Sequence, residues 1–183
     1  RATVKRGQIV FPGGTSYRLL ALPNVNTMTP ALLRKVKELV QAGATVVGAP
    51  PRKSPSLAGY PPCDMEVQNL ARGIWGDVGV PALAGSASRP PEGGTPNRER
   101  RVGKGRVVWG GELTKQGDQN GLPSDGLFEV YPNYAGLTAL LREDSVPPDF
   151  ESDGPLRYTH RRDAQTEIYF VANRSDETVT AEA

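Results

Sequence analysis

The stretch Thr29-Pro-Ala-Leu-Leu-Arg-Lys-Val-Lys-Glu-Leu-Val-Gln-Ala-Gly43, followed at once by Ala44-Thr-Val-Val47, decides the fold class. Thr29 is a helix N-cap, because its hydroxyl can accept from a free amide of the first turn, and Pro30 suits the first helical position. Leu32, Leu33, Val36, Leu39 and Val40 recur at helical spacing, while Lys35, Lys37 and Glu38 fall mostly on the other face. Gly43 is the stop. Upstream, Tyr17-Arg-Leu-Leu-Ala-Leu22 is apolar on both of its faces, as a strand covered by helices from both sides would be. The unit is therefore strand–helix–strand, and its short connections imply a right-handed crossover.

Further along the chain, Asp64 to Trp75 has helical spacing, with Val67, Leu70, Ala71 and Ile74 inward and Gly76 as its end. Arg106-Val-Val-Trp109 predicts a third buried strand, and Ala135 to Leu141 a short helix. Leu156–Arg162 and Glu167–Asn173 flank Asp163-Ala-Gln-Thr166 as a hairpin. Residues 8–11 and 17–22 flank the turn Pro12-Gly13-Gly14. The expected fold is α/β: a mainly parallel sheet with helices on both faces and an antiparallel C-terminal edge. The chain opens directly in a hairpin, so the first strand–helix unit usual for such a domain is expected upstream. One α/β domain is expected over residues 1–175, with a flexible insertion at about 76–105 that shows no apolar period, and a linker over 176–183 toward a following domain.

The composition narrows the function classes. Of 183 residues, 21 are Gly and 17 are Pro, which points to a compact core carrying long irregular loops. A net charge of +2 does not make the whole molecule an electrostatic nucleic-acid binder. Cys63 is the single cysteine, so no intrachain disulfide and no Cys-rich zinc site can form. No run approaches the ~20 apolar residues of a membrane span. No cofactor and no metal are expected, and neither a nucleic acid nor a membrane is expected as a partner.

Several residues are of types that can carry chemistry. Cys63 lies beside a helix start, where the dipole favours the thiolate. A nucleophile on such a sheet sits on a sharp glycine-flanked elbow, yet Cys63 stands between Pro61-Pro62 and Asp64-Met65, so a small residue near the helix cap is the better reading. His160, the single histidine, shares a strand face with Leu156 and Tyr158 and is expected to be structural rather than a general base. Asp163 and Glu167 bracket the hairpin turn. A catalytic carboxylate pair needs opposed walls of a cleft, and acids at a turn are commonplace. Gly103-Lys104-Gly105 fails the phosphate-loop pattern twice, at Arg98 and at Gly105. Arg89 to Arg106 holds six basic and two acidic residues but no interleaved aromatics, so a solvated insertion is expected over a polyanion site. Asn173-Arg174-Ser175 fits a glycosylation sequon. Arg52, Lys53 and Tyr60 lie on a Pro-rich loop after a strand, where open α/β sheets place ligands, and are the candidate carbohydrate contacts on position alone. No catalytic residue is assigned.

Four groups of segments, taken together, carry a family resemblance: Tyr17-Arg-Leu-Leu-Ala-Leu-Pro-Asn-Val with Met28-Thr-Pro-Ala-Leu-Leu-Arg-Lys-Val; Gln41-Ala-Gly-Ala-Thr-Val-Val-Gly-Ala-Pro with Ser54-Pro-Ser-Leu-Ala-Gly-Tyr-Pro; Val102-Gly-Lys-Gly-Arg-Val-Val-Trp; and Tyr158-Thr-His-Arg-Arg-Asp with Ile168-Tyr-Phe-Val-Ala-Asn-Arg. They resemble a region of large bacterial secreted glycoside hydrolases of the α-L-rhamnosidase-like kind, family 106. The resemblance implies a doubly wound, flavodoxin-like, class I glutamine-amidotransferase-like accessory domain that follows a catalytic barrel and precedes β-sandwich domains. It implies catalysis elsewhere in the parent protein and a secreted or periplasmic location. The implied partners are neighbouring domains of the same polypeptide, with homo-oligomerisation and carbohydrate binding as further expectations. A stand-alone Cys63/His160 hydrolase or amidotransferase-like enzyme is the alternative from another class.

Overall fold

The computed structural model of the chain describes residues 2–77, 97–114 and 133–182. In chain order the elements are β1 (Thr3–Lys5), β2 (Gln8–Val10), β3 (Ser16–Tyr17), β4 (Leu19–Ala21), α1 (Pro30–Ala42), β5 (Thr45–Val47), α2 (Pro62–Trp75), β6 (Arg98–Val102), β7 (Gly105–Trp109), a short 3-10 helix (Gly111–Thr114), α3 (Tyr134–Glu143), β8 (Leu156–Arg162) and β9 (Glu167–Asn173). They divide into two compact units, Arg1–Leu140 and Leu141–Ala183, where the sequence pattern suggests one domain to residue 175.

The first unit is built on a four-stranded sheet in the order β4-β5-β7-β6. β4, β5 and β7 are parallel, and β6 joins β7 antiparallel. Because side chains alternate along a strand, Val46 and Val107 face α1 and α2, meeting Leu33, Val36 and Val40 from one helix and Val67, Ala71 and Ile74 from the other. Val47 and Val108 turn the other way, onto Leu113 and the α3 residues Leu137 and Leu140. Helices thus cover both faces of a mixed α/β sheet. A separate antiparallel sheet, β1-β2-β3, precedes it, and Ile9 of β2 packs with Leu39 and Ala44.

Local chemistry sets the ends of α1. The Leu32 amide donates to Thr29 Oγ1 at 3.3 Å, and the Gly43 amide, at φ 121°, returns to the Leu39 and Val40 carbonyls. Leu33, Val36, Leu39 and Val40 are buried as the spacing requires. Leu32 is not: it is 54% exposed, because the buried stripe of this helix is narrower than its apolar run.

Three expectations need correction. The run 17–22 is not one strand: Ser16–Tyr17 pairs with β2, and the chain crosses at Arg18 into β4, which pairs with β5. The antiparallel edge of the main sheet is not the C-terminal hairpin. Among the described residues β8 and β9 pair only with each other, and the edge strand is β6, drawn from the stretch assigned to the insertion. Its Arg-Glu-Arg-Arg-Val sequence carries no apolar alternation, so nothing but the turn announces it. That turn is Gly103-Lys104, which joins Val102 to Gly105, with Gly103 at φ 61° in the first position of a two-residue hairpin. The remainder of the insertion, residues 78–96, lies outside the described residues, as does 115–132.

Gly105 marks a close approach of β7 to the last turn of α1 and the residues just after it. A Cβ there would stand 2.3 Å from the Ala44 carbonyl oxygen and 2.4 Å from that of Val40. Both are backbone atoms and cannot rotate aside. Gly105→Ala is expected to destabilise the chain by roughly 2–4 kcal/mol, read by urea denaturation. Gly13→Ala, whose Cβ would meet nothing within 4 Å, is the control and should stay within about 0.5 kcal/mol of the parent. A Gly105→Ala variant as stable as the control would show that β7 and α1 are not held at this separation.

Candidate functional site

The proline-rich loop after β5 is fixed by its backbone. The Arg52 and Lys53 amides donate to the Asn26 carbonyl at 2.8 and 3.3 Å, and the Met28 amide donates to the Lys53 carbonyl at 3.0 Å. The loops that follow β4 and β5 are thereby knitted together at the C-terminal ends of the parallel strands. The side chains of Arg52, Lys53 and Tyr60 are all exposed. Asp64, at the start of α2, accepts from the Ser54 amide at 2.8 Å and anchors the same loop.

Cys63 is buried, at 6% exposure. Its thiol faces the Ser56 carbonyl and the Asp64 carboxylate, each at 3.8 Å, and its amide bonds the Gly59 carbonyl at 2.8 Å. The thiol is a small side chain under the first turn of α2.

Among the described residues, several ionisable and aromatic side chains gather around His160 in the second unit. The β8–β9 register sets His160 opposite Tyr169 and Arg162 opposite Glu167. The His160 ring stacks on Tyr169 at a centroid separation of 4.3 Å and an interplanar angle of 5°. Its Nδ1 meets the Asp149 carboxylate. Its Nε2 lies 3.0 Å from Glu167 Oε2, near enough for an ion pair but not aligned for a hydrogen bond. The other Glu167 oxygen takes Arg162 Nε at 3.0 Å. The Tyr158 hydroxyl donates to Asp149 Oδ1 at 2.8 Å, and Phe150 packs on Tyr158 and Tyr169 at 4.8 and 5.9 Å.

The electrostatics follow from these contacts. The hydrogen bond from Tyr158, and after it that from His160, hold the Asp149 carboxyl below the ordinary carboxylate range. The same bond pushes the Tyr158 hydroxyl up. Tyr169 is pushed up by desolvation and then by the charge of Glu167. Asp163 is lowered because its carboxylate accepts the Gln165 and Thr166 amides, each at 2.8 Å.

Asp163 and Glu167 therefore have different tasks: one caps the turn, and the other serves His160 and Arg162. The carboxylate that shares His160 with Glu167 is Asp149. Sequence reasoning missed it because Val146-Pro-Pro-Asp-Phe150 has no period, and only the fold brings it to the hairpin. The sequon asparagine is occupied as well, since Asn173 Nδ2 donates to the Glu177 carbonyl at 2.6 Å and Oδ1 accepts the Ser175 amide at 2.9 Å. Among the described residues no three His, Cys, Asp or Glu side chains are grouped to hold a metal ion, and no helix is long and apolar enough to cross a membrane.

Comparison with known proteins adds three findings. The sequence profile of glycoside hydrolase family 106, alpha-L-rhamnosidase, matches residues 1–183. A "Putative beta-glucuronidase" of Formosa agariphila is 45% identical over 73 residues, which are 40% of this chain and 6% of that protein. The solved structure of a rhamnosidase from Novosphingobium sp. PP1Y aligns with a TM-score of 0.61 and 27% identity, over 94% of this chain and 13% of that one. This chain thus spans only a small part of the length of either relative.

Asp149 makes the hairpin sensitive to acid. Its folded carboxyl sits below the unfolded value of about 3.9, so its stabilisation is present in full above that value and fades as pH falls through the lowered folded one. Acid titration followed by the NMR signals of the Tyr158 and Tyr169 rings should show a transition below about pH 4. In Asp149→Asn that transition should vanish and the His160 ring signals should broaden at neutral pH. Identical titrations of parent and variant would show that Asp149 does not hold the cluster.

Proposed function

Because the chain belongs to glycoside hydrolase family 106, the alpha-L-rhamnosidases, we propose that it is a non-catalytic structural and interaction module within a larger, secreted, polysaccharide-degrading glycoside hydrolase. The observation that carries this reading is the engagement of the reactive side chains. Asp149 and Glu167 are aimed at opposite nitrogens of one imidazole, whereas a glycosidase pair must face a sugar bond from opposed walls. Asp163 is spent on a turn, and the Cys63 thiol is buried. The partners of such a module are neighbouring domains of the same polypeptide. The three parallel strands with helices on both faces support a doubly wound reading of the first unit, of the flavodoxin-like, glutamine-amidotransferase-like kind.

A second reading is favoured by the knitted loops after β4 and β5. They form one ledge at the strand ends, where open α/β sheets place ligands, and Arg52, Lys53 and Tyr60 stand exposed on it as contacts for a carbohydrate. Calorimetric titration with oligosaccharides should then give heat that disappears in Arg52→Ala and Tyr60→Ala, while thermal stability is kept. No heat from any sugar would remove this reading and leave the first intact.

The first reading is tested by turnover. The chain is assayed against an aryl α-L-rhamnoside, an aryl β-glucuronide, an aryl ester and glutamine, beside Cys63→Ser and His160→Ala. The expected result is no release above the uncatalysed background in any of the three proteins. Release that is lost in either variant would make the chain an enzyme in its own right.

A further inference from the structure

The two faces of the β8–β9 hairpin differ. Side chains alternate across the ribbon, so Tyr158, His160 and Arg162 share one face with Val171, Tyr169 and Glu167. That face is partly covered, since Asp149 and Phe150 close on it through the contacts described above. Tyr158, Tyr169 and Val171 keep 41%, 38% and 42% of their surface exposed, against 72% for Phe170 and 57% for Ile168 on the other face. The opposite face carries Arg157, Thr159 and Arg161 across from Ala172, Phe170 and Ile168. Every residue on it is exposed, with Phe170 at 72% and Ile168 at 57%.

Single exposed apolar residues need no explanation. Here an aromatic ring, a β-branched chain and two guanidinium groups stand together on one regular surface. Arginine and aromatic residues are the types enriched where proteins meet, and a two-stranded ribbon is marginal unless something packs on it. Among the described residues neither Arg157 nor Arg161 takes part in an ion pair.

We infer that this face, centred on Phe170 and Ile168 and flanked by Arg157 and Arg161, is a docking surface for an acidic, apolar-centred β-strand surface elsewhere in the longer polypeptide. This rests on the module reading given above. Charge complementarity selects the acidic partner, because a cationic pair beside an apolar centre is matched by carboxylates and repelled by a basic surface. A second copy of the chain is the weaker occupant. A two-fold contact through the same face would bring the arginines of both copies into one interface with no carboxylate between them. The solved rhamnosidase is long enough to contain such a surface, since the part of it that aligns with this chain is 13% of its length.

The test uses the full chain and two synthetic strand peptides, one alternating Glu with Val and the other alternating Lys with Val. The Glu peptide is expected to shift the amide resonances of Arg157, Thr159, Arg161, Ile168, Phe170 and Ala172 in NMR titrations, with an affinity that falls as salt is raised. The Arg157→Glu/Arg161→Glu variant should weaken that binding about tenfold or more, and Phe170→Ser should do the same. The intact stack of His160 on Tyr169, read from ring shifts on the other face, shows that each variant hairpin is still folded. Should Phe170→Ser unfold it, the double arginine variant decides alone. Equal binding of the Lys peptide, no binding of the Glu peptide, or shifts centred elsewhere would overturn the proposal. So would a sedimentation dimer dispersed by Phe170→Ser, which would make the occupant a second copy. None of these outcomes bears on turnover, so failure of the docking surface is distinguishable from failure of the module reading.

Discussion

Parallel strands β5 and β7 place Val46 and Val107 on one face of the sheet and Val47 and Val108 on the other, and all four are buried. Strands so placed can leave neither face to water, so the sheet requires an apolar layer on each side. On one side α1 and α2 supply it, and on the other Leu113 with Leu137 and Leu140. Burying each valine contributes about 1.5–3 kcal/mol. The exposed pair between helices, Arg34 with Glu66, is worth under about 1 kcal/mol. The two helices are therefore held to the sheet by apolar burial, and the ion pair follows from their position. The indole N–H of Trp75 donates to the Gly48 carbonyl at 3.0 Å, which ties the end of α2 to the end of β5. Gly105 completes the geometry by letting the backbone of β7 rest against the end of α1.

These same constraints decide how much of the fold can be read without coordinates. Helix α1, strands β5 and β7, and the ribbon β8–β9 all show in the sequence. Helix α1 shows by its period between Thr29 and Gly43, β5 and β7 by short apolar runs, and the ribbon by its two strands around the Asp163 turn. Strand β6 does not show. Its residues are charged because it lies on the edge of the sheet, and charge on an edge strand discourages pairing with another chain. The feature that protects the edge also removes the apolar alternation by which a strand is recognised. Gly103-Lys104-Gly105, unconvincing as a phosphate loop, is the surviving sign of that hairpin. Its glycines fit the tight turn and the close approach to Gln41 and Ala44.

The site residues divide in the same way. His160 could be singled out because it is the single histidine and lies on a strand with clear alternation. Its relation to Glu167 follows from pairing, since Glu167 is opposite Arg162 and the histidine is two residues earlier on the same face. Asp149 could not be found so. It belongs to a Pro-Pro segment with no period, and its place beside Tyr158 and His160 is a property of the folded second unit. Carboxylates near each other in sequence, Asp163 and Glu167, invite a pairing that the turn forbids. Asp163 Oδ1 accepts both of the amides that close the hairpin.

The β6–β7 and β8–β9 hairpins manage their exposed surfaces differently, and each has its own source of order. Strand β6 presents Arg98, Glu99, Arg100 and Arg101, and some of this charge is used locally: Arg100 Nη1 donates to the Arg72 carbonyl at the end of α2, and Glu99 pairs with Arg106. Its partner β7 is buried in the core, so β6 needs no apolar face of its own. Among the described residues the β8–β9 ribbon contributes to none of the buried apolar clusters. It orders one face with a polar and aromatic cluster in which each group holds another: Asp149 by Tyr158 and His160, Glu167 by Arg162, and Tyr169 by the imidazole stacked upon it. Directional contacts of this kind fix a geometry without burying much apolar area. They leave Ile168 and Phe170 on the other face in water, where hydration of apolar surface is unfavourable. The order of this ribbon therefore comes from directional contacts on one face, while Phe170 and Ile168 on the other stay the more exposed.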